Sequence, residues 1–151
     1  MRAIETPVGR LFACTNKHGL TRLDFRDADI EPGNHAFIDQ VETELGAYFS
    51  GELNQFETPL DPQGTAFQRS VWSELLRIPY GETITYMQLA ERLGTPLAIR
   101  AIAAANGANL LSIVIPCHRV IAANGDLQGY RGGLEAKRFL IDHERGQTSL
   151  F

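Results

Sequence analysis

A chain of 151 residues and 16.7 kDa holds one compact domain or two small lobes, which excludes a large multidomain enzyme. Hydrophobic residues make up 44% and charged residues 21%, with 14 Gly and 7 Pro scattered along the chain, so disordered, collagen-like and coiled-coil classes are excluded as well. The formal net charge of -4 hides an asymmetry: residues 1–62 carry 5 basic and 11 acidic side chains and residues 63–151 carry 9 and 7, too weak a surplus to hold nucleic acid by many phosphate contacts.

In chain order, Pro7-Val8-Gly9 breaks the chain, and residues 9–15 and 20–25 then alternate in period two. They predict two antiparallel strands with Lys17-His18-Gly19 turning between them. Phe37, Val41, Leu45, Tyr48 and Phe49 recur at helical spacing up to Gly51, which predicts an amphipathic helix packed on that sheet. Two prolines and a glycine follow in residues 58–64, where the charge balance changes sign, and the expected boundary divides the chain into domains 1–62 and 63–151. Thr65 is the expected cap of a helix that buries Phe67, Val71, Trp72, Leu75 and Leu76 and ends by Pro79 and Gly81. Thr85-Tyr86-Met87-Gln88 spells a capping box for a short helix that stops at Gly94. Thr95-Pro96 restarts a helix at once, with Thr as cap and Pro at the first position, running to about Asn106-Gly107. Two helices joined by so tight a turn form a helix-turn-helix candidate. Residues 112–115 read as an extended buried segment, Asn124-Gly125 as a hairpin signal, and residues 134–144 as a closing helix.

No stretch is long and apolar enough to span a membrane, and the amino terminus has no export signal, so the expected compartment is a reducing cytoplasm with both cysteines as free thiols. Cys14 sits inside a strand pattern and reads as a small hydrophobe. Cys117, in Pro116-Cys117-His118-Arg119, is a nucleophile candidate because a thiolate attacks and a histidine can take its proton. On an extended segment adjacent side chains point apart, so His118 would act through a water. On these four residues alone, a buried structural cysteine beside a satisfied histidine is the slightly better reading. Residues 96–106 offer one long polar side chain, Arg100, among alanines. That face suits close approach to a minor groove with one inserted side chain, although an alanine-rich core helix with a solvated arginine is the commoner case.

Ile115-Pro116-Cys117-His118-Arg119-Val120-Ile121, preceded by Gly81-Glu82-Thr83-Ile84-Thr85-Tyr86 and Asn106-Gly107-Ala108-Asn109, is followed by Gly129-Tyr130-Arg131-Gly132-Gly133-Leu134 and His143-Glu144. In that order these motifs resemble the O6-alkylguanine-DNA alkyltransferases, also called methylated-DNA-protein-cysteine methyltransferases. The resemblance implies an α+β chain: a small ribonuclease-H-like lobe of antiparallel sheet and helix, then a mostly helical, winged helix-turn-helix-like lobe. The first lobe resembles the family in layout only. Leu110 stands where the family usually has proline.

The resemblance further implies repair in a single turnover, without cofactor. Cys117 would take the alkyl group from O6 of guanine irreversibly, with His118 as base, Glu144 as its orienter, and Asn109 tying the active-site segment to the helix-turn-helix. Tyr86 would protonate guanine N3. Pro116, Val120, Tyr130, Arg131 and Gly132 would line the guanine pocket, with backbone carbonyls of Cys117 and Val120 facing the base. Arg100 would fill the gap left by the flipped nucleotide, with Thr95, Ala98, Ala103 and Ala104 against the DNA. The implied partner is double-stranded DNA carrying O6-alkylguanine, bound in the minor groove without sequence preference by a monomer, with no membrane and no zinc. O4-alkylthymine stays open as a second substrate. A lesion-binding signalling relative without transfer activity is the alternative, and a thiol hydrolase or redox protein is a more distant one. Such signalling relatives carry tryptophan at the place of Cys117, so the cysteine here favours catalysis.

Overall fold

A computed structural model describes residues 1–146 of the chain. They form a mixed α+β structure of two compact units, one of Met1–Gln63 with Leu110–Val114, the other of Gly64–Asn109 with the chain from Ile115 onward.

The first unit is a three-stranded antiparallel sheet, β1 (Arg2–Thr6), β2 (Gly9–Thr15) and β3 (Leu20–Asp24), in that spatial order, with helix α1 (His35–Phe49) against it. Alternation puts Ile4, Leu11, Ala13, Leu20 and Leu23 in the core, where Ile38, Val41, Leu45 and Tyr48 of α1 meet them. Asn34 caps α1 by accepting from the Ala36 N–H, which satisfies a donor the helix itself cannot. Strand β1 is not anticipated from the sequence, because Ile4 is its one buried residue and Pro7-Val8 looks like a break. In the structure those two residues are the turn of a hairpin that pairs Thr6 with Gly9.

Residues 112–115 differ from expectation too. They make turns, not an extended strand, with Ile113 at φ 72°. The segment's backbone bonds run to β3, where the Leu23 N–H donates to Leu110 O at 2.8 Å and the Ser112 N–H donates to Leu23 O at 2.9 Å. A β-branched residue in the left-handed region is strained, and it sits just upstream of Cys117.

The second unit begins with α2 (Ala66–Leu75), capped by Thr65 in a capping box with Gln68. Val71, Trp72 and Leu75 are buried, whereas Phe67 and Leu76, expected in the stripe, are 40% and 50% exposed because they lie at opposite ends of the helix. The Trp72 indole N–H donates to Ala105 O at 2.8 Å, tying α2 to α4. Strand β4 (Ile84–Thr85) leads directly into α3 (Tyr86–Arg92), whose capping box joins Thr85 and Gln88. Gly94, at φ 72°, provides the left-handed turn that ends the helix. Pro96–Ala98 is a single 3₁₀ turn and α4 spans Ile99–Gly107. Thr95 makes no side-chain cap, a departure from the expected continuous helix: its backbone, at ψ 60°, is not in the extended conformation of the capping residues Thr65 and Thr85, and its carbonyl accepts from the Ala98 N–H to close a 3₁₀ turn. Strand β5 (Val120–Ile121) pairs parallel to β4, so Asn124-Gly125 forms a turn without the expected hairpin. Helix α5 (Leu134–Glu144) completes the described chain. Among the described residues no helix is long and apolar enough to cross a membrane.

Candidate active site

The parallel pairing of Ile84 with Val120 and Thr85 with Ile121 brings two sequence-distant points together. Tyr86 begins α3 at the end of β4, and the 3₁₀ turn Cys117–Arg119 immediately precedes β5. The expectation that Cys117 and His118 lie on an extended segment gives way to this turn, closed by the Val120 N–H donating to Cys117 O. Asn109 fixes the approach, its Nδ2 donating to Ile115 O at 2.9 Å. Cys117 is 7% exposed. Burial pushes its thiol above the usual range, against the pull of an Asn109 side-chain hydrogen bond and the Lys137 and Arg131 charges.

His118 is fully buried, and its Nε2 lies 2.7 Å from Glu144 Oε2. Burial alone would raise the Glu144 carboxyl, but hydrogen bonds from His118 and Arg119 hold it well below the usual carboxylate range. An ionised carboxylate only accepts, so Nε2 carries the proton and Nδ1 keeps its lone pair. Burial lowers the His118 pKa, which keeps the ring neutral despite the carboxylate. Nδ1 is buried and hydrogen-bonds to none of the described residues, so no direct bond joins His118 to Cys117.

Arg119 completes this cluster. Nε donates to Glu144 Oε1 at 2.7 Å and Nη2 to Oε2 at 3.0 Å, while Nη1 donates to Ile78 O at 2.7 Å. Its guanidinium lies 5.7 Å from the Tyr80 ring centroid. Gly81 permits the close approach of the helix end, since a Cβ there would stand 3.2 Å from Glu144 O. Arg119 stands inside the cysteine motif, but the motif alone assigns it no part. The signal was available, because a charged residue in an otherwise apolar run needs a buried partner.

A pocket of about 530 Å³ lies in the same unit; Cys117 is not among its lining residues, but Asn106, which is, donates from Nδ2 to Cys117 O at 3.5 Å. Tyr86 forms one wall, Arg100, Ala103 and Asn106 of α4 another, and residues 128–131 a third. Burial and the neighbouring Cys117 raise the Tyr86 pKa, opposed by a hydrogen bond with the Asn106 side chain. Of the expected pocket residues, Tyr130 and Arg131 contribute to the wall. Pro116, Val120 and Gly132 do not. Val120 is wholly buried in β5 and Pro116 is buried in the segment before Cys117, while Gly132 lies one residue past the wall. Arg100, Ala103, Ala104 and Thr95 are exposed, and Ala98 is half-buried. Leu97, beside them and not marked out by the sequence, is 99% exposed. Lys137 was missed as well: it is fully buried, and its Nζ donates to Gln128 O at 2.8 Å. Its position seven residues before Glu144, on the face shared with Leu140 and Ile141, was the available signal. Among the described residues no group of His, Cys, Asp and Glu is arranged to hold a metal ion.

Residues 66–146 match the family model for the 6-O-methylguanine DNA methyltransferase DNA-binding domain, and residues 1–62 match that for the ribonuclease-like domain of the same proteins. A methylated-DNA--protein-cysteine methyltransferase of Mycolicibacterium paratuberculosis is 46% identical over 95% of this chain and 91% of its own length. Among solved structures, the O6-methylguanine methyltransferase of Mycobacterium tuberculosis superposes with a TM-score of 0.84 at 40% identity, covering 99% of this chain and 94% of that one. Mycobacterium tuberculosis OGT in complex with DNA gives a TM-score of 0.84 at 41% identity, over 97% and 92%.

Proposed function

The chain belongs to the 6-O-methylguanine DNA methyltransferase family, and we propose that it repairs DNA with Cys117 as alkyl acceptor, taking the group from O6 of a guanine rotated out of the duplex. The buried Cys117–Arg119 turn, whose Cys117 O accepts at 3.5 Å from the pocket residue Asn106, with His118 held by Glu144, carries this reading.

His118 Nδ1 takes the thiol proton through an intervening water, and Glu144 stabilises the imidazolium that forms. Sulfur attacks the alkyl carbon in line, the carbon–O6 bond breaks, and its electron pair passes into the guanine ring. Tyr86 gives its hydroxyl proton to N3, so guanine leaves neutral. The phenolate then recovers a proton from the imidazolium by way of solvent. To pass the alkyl group on, an unactivated thioether would have to expel the cysteine thiolate, so the carbon–sulfur bond persists and each polypeptide acts once.

Rotating a nucleotide out of the stack costs a few kcal/mol. Arg100 fills the gap left behind, and the exposed alanines of α4 let the backbone approach the minor groove without reading sequence. Thr95 and Ala98 flank the same contact. All these groups come from one chain, so a monomer suffices. A reducing cytoplasm suits a reaction that needs a free thiol, and both cysteines are free.

Incubation with a duplex oligonucleotide containing O6-methylguanine should leave one methyl group on the peptide carrying Cys117, with one lesion repaired per polypeptide. Repaired DNA beside unmodified Cys117, or many lesions cleared per chain, would overturn the reading. Tight lesion binding without transfer would identify a signalling protein instead.

A further inference from the structure

Residues 63–151 carry 9 basic side chains, and most of them are engaged away from the pocket. Arg119 grips Glu144, and Lys137 is buried with its Nζ donating to Gln128 O. Arg77 and Arg92 lie 4.0 and 3.9 Å from Glu74, and Arg145 donates to Thr83 Oγ1 at 3.0 Å. Arg138 stands with Asp126 and Glu135 around a separate cavity, and Arg69 is on α2, which gives the pocket no residue. The other two, Arg100 and Arg131, both line the 530 Å³ pocket, one from α4 and one from the loop across it. Among the described residues no carboxylate lines it with them.

A cavity with two guanidiniums and no carboxylate attracts an anion. O6-alkylguanine is an uncharged base and does not supply one. Its phosphates do: a nucleotide rotated out of the duplex carries its base into the pocket, while its phosphodiesters stay at the rim because they join it to the strand. Arg100 is taken up by the gap left in the stack, so the rim position falls to Arg131. That side chain is half-buried, as befits a rim, whereas a group deep in the site such as His118 is fully buried. We propose that Arg131 holds a phosphate flanking the flipped nucleotide and so anchors the strand while the base occupies the pocket. The inference rests on the base-flipping reading above and adds the group that captures the backbone. A planar guanidinium pairs two-pronged with phosphate oxygens, which a lysine cannot do. The small charge surplus of this part of the chain is then sufficient, because one well-placed contact at the lesion replaces many along the duplex.

The test is binding of a duplex containing O6-methylguanine by the full chain carrying Cys117→Ser, which cannot form the thioether. In that background Arg131→Leu should weaken binding about tenfold in dilute salt and make the dependence of log Kd on log salt shallower by about 0.9, the share of one phosphate. Arg131→Lys, which keeps the charge and loses the fork, should retain the salt slope and recover part of the affinity. Uncharged methylphosphonates on both sides of the lesion should bring Arg131→Leu and its parent to equal affinity, whereas methylphosphonates a full helical turn away should leave the difference in place. Unchanged binding in Arg131→Leu would overturn the proposal. So would a difference that survives neutral flanking phosphates, which would put Arg131 on the base instead. If Arg131→Leu fails to fold, the methylphosphonate scan with Cys117→Ser alone decides: the flanking replacements should weaken binding several-fold more than the distant ones, and equal losses would refute the contact. Methyl transfer to wild-type Cys117, measured in parallel, tests the repair reading separately, since binding by Cys117→Ser needs no transfer.

Discussion

Glu144 closes α5 at the end of the helix where a negative charge is least welcome, because the last carbonyls already carry the negative end of the helix dipole. Arg119 compensates with two hydrogen bonds, and a second consequence concerns His118. A buried carboxylate with a single histidine partner pulls a proton onto the ring, and a protonated imidazole cannot act as a base. Arg119 offsets that pull, since its charge lowers the His118 pKa. Arg119→Met should therefore raise the His118 pKa and move the acid limb of the methyl-transfer rate to higher pH, with the plateau reached only in alkaline solution. Breaking a buried pair should also cost about 3–5 kcal/mol of stability. A pH–rate profile of the variant checks the first effect and urea unfolding the second. An acid limb in its wild-type position would show that Arg119 acts on stability alone.

The pair α3 and α4, with the turn at Gly94, presents Arg100 on a face of exposed alanines, and this geometry sets a test of its own. If Arg100 holds the duplex open, Arg100→Ala should slow repair of duplex O6-methylguanine by at least about tenfold while leaving reaction with free O6-benzylguanine nearly unchanged. Equal slowing on both substrates would place Arg100 in the pocket chemistry instead. These helices were legible in the sequence because their signals are local: Thr65 with Gln68 and Thr85 with Gln88 satisfy helix donors within four residues, and Gly94 supplies the stop. Strand β1 was not, since one buried isoleucine gives no periodicity and the strand is defined by its partner β2. Residues 112–115 misled for a related reason. An apolar run looks like a strand, and Leu111 does bridge Leu23 in parallel, but the chain turns immediately after it, with Ile113 at φ 72°. In the site, Cys117 and His118 stand out on their residues alone, whereas Glu144, Asn109 and Tyr86 come from motif resemblance. Arg119 and Lys137 escaped because a lone charge in sequence defaults to solvent, and only the tertiary structure reveals that both are buried.

Across the whole molecule, the groups whose pKa burial moves most lie in the second unit, and their signs give the chain an asymmetric response to pH. His118 has a folded pKa below its unfolded value of 6.5, so between the two the unfolded chain binds more protons and stability falls as pH falls. Glu144 adds the same sign lower down, its contribution being complete above about 4.5 and lost as pH drops toward its depressed folded value. On the alkaline side the signs oppose. The raised Cys117 pKa makes stability fall as pH rises past 9.0, whereas the lowered Lys137 pKa makes it rise up to 10.5. Unfolding should thus be sensitive to acid and comparatively indifferent to mild base. Trp72, the chain's single tryptophan, is buried in this unit and donates to Ala105, so its fluorescence reports the unfolding of that unit directly. Urea midpoints followed by this signal should decline from about pH 6.5 downward, with a slope of at most about 1.4 kcal/mol per pH unit for the one proton His118 takes up. His118→Gln, which keeps a donor for Glu144 but cannot titrate, should flatten the profile between pH 6.5 and 5 and leave the steeper fall below about 4.5 in place. A decline of the same size in that variant would assign the acid response to other groups and remove His118 as the buried neutral base on which the proposed chemistry depends.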